Sequence, residues 1–168
     1  TDPPVRTVHV SGLPGIGKSF LLERVIQMAR SGPQPILIAL DFDRSGLNVL
    51  DAHAFIEEIS RQLADALSEA AATLRDLRLR SAEQRATETG TSASYSLPRE
   101  LLAAMGRAVG ASGRRVLVVL DTLEVLRRRG ETQVMTLFDR LDTLLRSGIA
   151  PLAVISAGRG DALDPVPN

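Results

Sequence analysis

The sequence contains no cysteine and no tryptophan, and only 3% of its residues are aromatic. Without cysteine, neither disulfide bonds nor thiolate metal sites can form. The formal net charge is zero, so we expect no strong nonspecific attraction to nucleic acid or to anionic lipid. No apolar run reaches the roughly 18 residues that a membrane span needs, and no signal peptide opens the chain. These absences predict a cytoplasmic protein with neither a membrane nor a nucleic acid as its partner.

Lysine is almost absent as well, because 19 of the 20 basic residues are arginine and the one lysine is Lys18. It lies in a segment that satisfies the phosphate-loop pattern G-x-x-x-x-G-K-[ST] at every position: Gly12, Leu13, Pro14, Gly15, Ile16, Gly17, Lys18 and Ser19. Residues 5–10 before it alternate like a strand, and residues 18–29 carry apolar side chains at helical spacing. A glycine-rich turn that leads into a helix N-terminus favours bound phosphate.

Each residue type in this loop has a chemical reason to be there. Glycines let backbone N–H groups turn toward anionic oxygens. Lys18 is predicted to reach the β- and γ-phosphates, and the Ser19 hydroxyl is predicted to bind Mg²⁺. We expect residues 12–19, together with the adjacent Phe20, to contact the nucleotide. The predicted cofactors are therefore ATP or ADP with Mg²⁺.

Between this loop and the second motif, the pattern predicts one strand followed by helices. Residues 36–40 form an apolar run typical of a strand buried on both faces. Asp41 and Asp43 follow it and either touch Mg²⁺ or the nucleotide, or serve as loop and cap residues, which we favour. Residues 54–77 predict one long amphipathic helix or two in series, packed on the sheet or on a helix rather than in a coiled coil. Residues 89–96 predict a flexible loop, and Pro98 opens another helix.

The second motif is a hydrophobic strand over residues 116–120 that ends in an acid. Asp121 is predicted to lie beside the Mg²⁺ shell, where it binds through water or orients Ser19. Glu124 is predicted to orient the attacking water toward the γ-phosphorus. A fourth strand candidate covers residues 149–156. Arg159 after it is predicted to bind the γ-phosphate through the forked donors of its guanidinium and so to distinguish triphosphate from diphosphate. Lys18, Asp121, Glu124 and Arg159 are thus the candidate catalytic residues.

These motifs together resemble the nucleotide-binding domain of STAND NTPases, the AAA+-related signalling ATPases that include NACHT and AP-ATPase proteins. Residues 12–19 match the family's Walker A motif, residues 117–124 its Walker B motif with a small residue after the aspartate, and residues 156–159 its sensor 1. The resemblance covers residues 5–160. It implies an α/β P-loop NTPase sandwich of three layers. The sheet would be mainly parallel with strand order 2-3-4-1, so that the sensor strand lies between the Walker A and Walker B strands.

The resemblance also implies what surrounds this domain. The fifth strand, helical lid and winged-helix domain of the family are not found in the sequence, so residues 1–168 are expected to be a single nucleotide-binding domain from a larger protein. STAND proteins resemble switches, in which exchange of ADP for ATP permits self-association and activates an effector domain in the same chain, alongside a sensor domain. A role in bacterial signalling, including antiviral defence, is what the family implies. Hydrolysis by this piece alone is expected to be slow.

Two other classes of function remain open at this point. A P-loop kinase for small molecules would share Walker A but needs a mobile lid, for which Arg78, Arg80 and Arg85 are candidates. A non-hydrolysing interaction module would keep the loop for its structure. Residues 127–129, three consecutive arginines, form either a solvated helix face or a contact with another protomer or nucleic acid. The two histidines, His9 and His53, are assigned ordinary structural positions rather than a shared metal site.

Overall fold

Strands and helices alternate along the chain in the computed structural model, which describes residues 5–13, 15–31, 35–43, 47–87, 98–150 and 152–158. The described residues form four strands and six helices: β1 (Val5–Ser11), α1 (Lys18–Ser31), β2 (Ile36–Asp41), α2 (Ala52–Ala66), α3 (Ser68–Thr87), α4 (Arg99–Ser112), β3 (Val116–Asp121), α5 (Leu123–Arg128), α6 (Glu131–Arg146) and β4 (Leu152–Gly158). All four strands that the sequence predicts are present. The predicted flexible loop at 89–96, Pro14 and Arg159 lie outside the described residues.

The four strands form one parallel sheet in the order β1-β4-β3-β2. This is the predicted order, with β4 between the strand that precedes the phosphate loop and the strand that ends in Asp121. The register places Asp41 beside Asp121 and Ser11 beside Gly158. Because parallel strands end at a common edge, the phosphate loop, Asp121 and the end of β4 all emerge on the same side of the domain.

Helices cover both faces of the sheet, as right-handed crossovers require. On one face, Leu22 of α1 packs with Val119 and Ala157 in a small apolar cluster. The other face carries the main core, to which α2, α4, α5 and α6 contribute together with the even-numbered residues of β2 and β3. The sheet is therefore sandwiched between two helical layers. Within the described residues, no helix has both the length and the apolar character needed to cross a bilayer.

The long helical region predicted after residue 54 forms two helices rather than one. Leu67 separates α2 from α3 with φ −127° and ψ 80°, values that lie outside helical geometry. The two helices run antiparallel and are joined by polar contacts: Asp51 with Arg85, His53 with Ser81, and Ser60 with Arg78. Because of this break and their antiparallel pairing, α2 and α3 form an αα-hairpin.

The outer side of β2 contacts α2 through one side chain. Gln62 of α2 donates from Nε2 to the Ala39 carbonyl at 2.9 Å and accepts from the Ala39 N–H at 2.7 Å. The same amide also donates to Glu58 at 2.7 Å. These contacts fix α2 against the middle of β2.

Candidate functional site

The phosphate loop connects β1 to α1 with a backbone that only glycine adopts easily. Gly15 has φ 80° and Gly17 has φ 92°, both in the left-handed region. A Cβ added at either position would meet nothing within 4 Å. Backbone conformation, rather than crowding, therefore requires glycine at these two positions, and the space in front of the loop is open.

Lys18, the first residue of α1, folds back over this loop. Its Nζ donates to the carbonyls of Gly12 and Leu13, at 2.9 Å each. The helix then starts regularly, since the Leu21 N–H donates to the Gly17 carbonyl at 2.9 Å. A phosphate that engages this ammonium group would compete with two neutral carbonyl acceptors. A charged acceptor is the stronger partner in that exchange.

Ser19 and Asp121 are 102 residues apart in the chain, yet the fold places their side chains together. The Ser19 hydroxyl donates to Asp121 Oδ1 at 3.3 Å. Both are hard oxygen ligands, the kind that Mg²⁺ prefers, and two ligands at right angles around an ion with 2.0–2.1 Å bonds lie about 3 Å apart. The pair therefore fits the predicted magnesium site, with Ser19 and Asp121 as the residues that would hold the ion.

A cavity of about 340 Å³ lies at this edge of the sheet. Its lining combines the loop, the end of β3 and the end of β4: Gly15, Gly17, Lys18, Ser19, Phe20, Asp121, Thr122, Glu124, Ala157 and Gly158. Phe20 is 73% exposed at the rim of this cavity. Glu124, the second residue of α5, is half-buried and brings a second carboxylate to the same space. The structure thus brings together three of the four candidate catalytic residues.

A wider groove of about 800 Å³ lies elsewhere, between β2 and α2. Its lining contains both acidic and basic residues. Among them, Arg61 already pairs with Glu58 and Asp65. It contains no part of the phosphate loop. We therefore assign the functional site to the smaller cavity, where the phosphate loop, a hydroxyl and two carboxylates converge.

Asp41 and Asp43 form local hydrogen bonds in the loop after β2. The Asp43 N–H is 3.0 Å from Asp41 Oδ1, an Asx-type contact. Asp41 Oδ1 also accepts from the Thr122 hydroxyl at 3.0 Å, and the Asp43 N–H is 3.1 Å from that hydroxyl. The favoured interpretation of these residues as loop residues agrees with this geometry. The link to Thr122, however, has no signal in the sequence.

The two histidines contact different serines in different parts of the fold. His9 Nδ1 lies 2.9 Å from the hydroxyl of Ser156, its register partner on β4. Burial lowers the pKa of His9 below its ordinary value. Ser156 belongs to the predicted sensor segment, and this contact engages its hydroxyl with β1. His53 instead packs between α2 and α3 beside Ser81, at 3.2 Å.

The three consecutive arginines lie at the C-terminal end of α5. Arg127 and Arg128 lie in its last turn, and Arg129 follows as the cap residue. The Arg129 guanidinium donates to the Phe42 carbonyl at 3.4 Å, so this residue connects the end of α5 to the loop after β2. Arg128 is exposed.

A parallel sheet with a phosphate loop after β1, and an acid at the end of β3 facing that loop, defines the class of P-loop nucleoside triphosphatases. Comparison with known proteins agrees, because a family model described as "AAA ATPase domain" matches residues 2–155. The chain belongs to this AAA ATPase domain family. The AAA+ relationship expected from the sequence is thereby confirmed.

One solved structure supports the same fold. The crystal structure of Cdc6p from Pyrobaculum aerophilum superposes with a TM-score of 0.55 at 17% sequence identity. The match covers 96% of this chain and 35% of that chain, so our chain spans about a third of the length of that protein. At this identity the likeness concerns the fold. Comparison with curated proteins gives no significant match.

Proposed function

We propose that this domain binds ATP or ADP with Mg²⁺ and hydrolyses ATP slowly. The observation that carries the proposal is the 3.3 Å contact between Ser19 and Asp121 at the mouth of the phosphate loop. It joins the one hydroxyl of the loop to the acid of β3, and these two residues would hold Mg²⁺ beside the bound phosphates. Lys18 would contribute positive charge to the same phosphates.

In the hydrolytic step, the residues of the site would bind the phosphates, orient the attacking water and accept its proton. The N–H groups of the loop and Lys18 would hold the phosphates. Mg²⁺, when bound, would supply the charge that stabilises the transferring phosphoryl group. Glu124 would orient a water molecule toward the γ-phosphorus and accept its proton. The water oxygen would bond to that phosphorus as the bond to the ADP oxygen breaks. Arg159 is proposed to contact the γ-phosphate.

At a finer level, we propose that the domain is the switch of a STAND-type signalling protein. The Walker B pattern supports this proposal, since a small residue, Thr122, follows Asp121 and the second acid comes only at Glu124. Nucleotide exchange would control self-association and an effector attached in the same chain, beside a sensor domain. The STAND resemblance is also what supports a bacterial signalling role, including antiviral defence. The proposal places the protein in the cytoplasm, where ATP is available.

The kinase alternative loses support from the arginines that would have formed its lid. Arg78 donates to Ser60 at 3.1 Å, and Arg85 pairs with Asp51 at 2.5 Å. Both contacts hold α3 against α2. These two side chains therefore stabilise the helical hairpin, and the hydrolase proposal is the better match to the site.

The experiment that tests the proposal measures the melting temperature with no nucleotide, with ADP·Mg²⁺ and with ATP·Mg²⁺, followed by phosphate release. A ligand at 100 times its dissociation constant stabilises the folded state by about 2.7 kcal/mol. We expect both nucleotides to raise the melting temperature. Glu124→Gln should keep the ATP-induced rise and lose phosphate release, because the amide cannot accept the proton.

The matched control is Glu131→Gln, which neutralises an exposed carboxylate at the start of α6. It should leave both measurements unchanged. If neither nucleotide shifts the melting temperature at millimolar concentration, the interaction-module alternative replaces the proposal. Self-association of the full-length protein in ATP but not in ADP, measured by mass photometry, would support the switch.

A further inference from the structure

Thr122 has a backbone conformation that is costly for its residue type. Its φ is 55° and its ψ is 40°, and among the described residues it is the only non-glycine with a positive φ. Threonine is β-branched, and such residues are genuine outliers in the left-handed region. Conformations of this kind are costly and persist only where the surrounding structure enforces them.

The contacts that enforce this conformation come from the ends of two neighbouring strands. The Thr122 N–H donates to Asp121 Oδ1 at 2.8 Å. Its hydroxyl donates to Asp41 Oδ1 at 3.0 Å and accepts from the Asp43 N–H at 3.1 Å. Asp41 and Asp121 are register partners on adjacent strands. One threonine therefore provides a donor to each of the two carboxylates.

The turn at Thr122 also sets the direction of the chain after β3. The Thr122 carbonyl accepts from the Val125 N–H at 2.9 Å, which begins α5. The second residue of that helix is Glu124, which lines the cavity. Thr122 thus precedes the water-orienting candidate and follows the metal-binding candidate, and its conformation affects where both of them point.

We propose that Thr122 is a positioning residue. Its hydroxyl, held by Asp41, maintains the left-handed turn that keeps Asp121 beside Ser19 and directs Glu124 into the cavity. This inference rests on the proposed nucleotide-binding function. It makes the loop after β2 part of the site, although Asp41 itself is absent from the cavity lining.

The test measures how much Mg²⁺ improves the affinity for ADP, as the ratio of dissociation constants in EDTA and in Mg²⁺. Thr122→Val removes the hydroxyl at nearly constant shape, and we expect this ratio to fall by about fivefold, the change that one lost hydrogen bond produces. Thr122→Ser keeps the hydroxyl, so its ratio should equal that of the wild type. Affinity for ADP in EDTA should stay within about twofold of wild type in every variant, because that binding depends on the loop and Lys18.

Two further variants separate positioning from stability. Thr122→Gly adopts the left-handed conformation without strain although it lacks the hydroxyl, so it should keep the turn and retain most of the Mg²⁺ effect that Thr122→Val loses. Thr143→Val removes a hydroxyl that donates to the Asp139 carbonyl within α6, and it should leave the ratio unchanged.

The results that would overturn the inference are distinct from those that would overturn the function. A wild-type ratio retained in Thr122→Val would refute positioning, and so would a ratio that falls as far in Thr122→Gly as in Thr122→Val. Equal ADP affinity with and without Mg²⁺ in wild type would refute it as well. No ADP binding by the wild-type protein under either condition would refute the proposed function, and the inference with it.

Discussion

Replacement of Lys18 by alanine tests the central electrostatic element of the site. In the structure its ammonium group makes two hydrogen bonds, to the carbonyls of Gly12 and Leu13 at 2.9 Å. Both carbonyls lie in a loop that water can reach, so their loss should cost the free domain less than about 1 kcal/mol. With nucleotide bound, we expect the same ammonium group to face phosphate. A hydrogen bond between charged partners contributes about 1.5–3 kcal/mol.

The expected result is therefore a large loss of affinity with little loss of stability. A difference of 1.5–3 kcal/mol corresponds to a dissociation constant for ATP·Mg²⁺ raised about 10- to 150-fold. Isothermal titration calorimetry on wild type and Lys18→Ala measures the affinity, and urea unfolding without nucleotide measures the stability.

Arg24→Ala provides the matched control, because it removes a cation from the same helix. The Arg24 guanidinium lies 3.4 Å from the Gln27 side chain and does not line the cavity. The dissociation constant of Arg24→Ala for ATP·Mg²⁺ should stay within about twofold of the wild-type value. If Lys18→Ala binds ATP·Mg²⁺ as tightly as wild type, or if Arg24→Ala weakens binding equally, the assignment of Lys18 to the phosphates is refuted.

Two further predictions concern stability. A Cβ at Gly106 would lie 1.8 Å from a backbone oxygen at the end of α6, so Gly106→Ala should destabilise by about 1–3 kcal/mol. Gly110→Ala in the same helix meets nothing within 4 Å and should stabilise by about 0.5–1 kcal/mol; urea unfolding giving both variants the same sign would contradict the packing argument. Burial tends to raise the pKa of Asp51, but hydrogen bonds from the Ala54 N–H and from Arg85 outweigh it and hold the pKa below its ordinary value. A lowered carboxyl pKa stabilises the fold above the unfolded pKa, and this stabilisation is lost as pH falls through the folded one. Asp51→Asn should therefore be less stable than wild type at pH 7, by at most about 1 kcal/mol since Arg85 is partly exposed, and the difference should shrink near pH 3. Urea unfolding of both proteins at pH 7 and at pH 3 measures this difference, and a difference that stays the same at the two pH values would contradict the argument.

The sheet and its order could be predicted from the sequence because their signals are local. Residues 36–40 and 116–120 are short apolar runs bounded by proline or by charged residues, and each forms a strand of the predicted extent within one residue. The phosphate loop is likewise local, since glycines at fixed spacing determine its backbone. Once the strand order is known, the meeting of Ser19 and Asp121 follows from parallel topology.

Other features depend on contacts between distant residues and could not be predicted in this way. The left-handed turn at Thr122 is held by Asp41, 81 residues away in sequence, and a threonine by itself favours other conformations. The break at Leu67 has neither glycine nor proline to mark it, so the pattern fits one helix as well as two. Helix α6 was not predicted, although Leu137, Leu141 and Leu144 have helical spacing and are buried.

The bidentate contact between Gln62 and Ala39 has a consequence for how the domain behaves among its neighbours. An open strand at the margin of a sheet is a template for pairing with another chain, which leads to aggregation or to unwanted assembly. The amide of Gln62 has the same donor and acceptor as a peptide group, and it occupies both backbone groups of Ala39. A foreign strand could add at the middle of β2 only after breaking both hydrogen bonds and displacing a side chain anchored on α2. In this position, one glutamine protects the β2 margin of the sheet against strand addition.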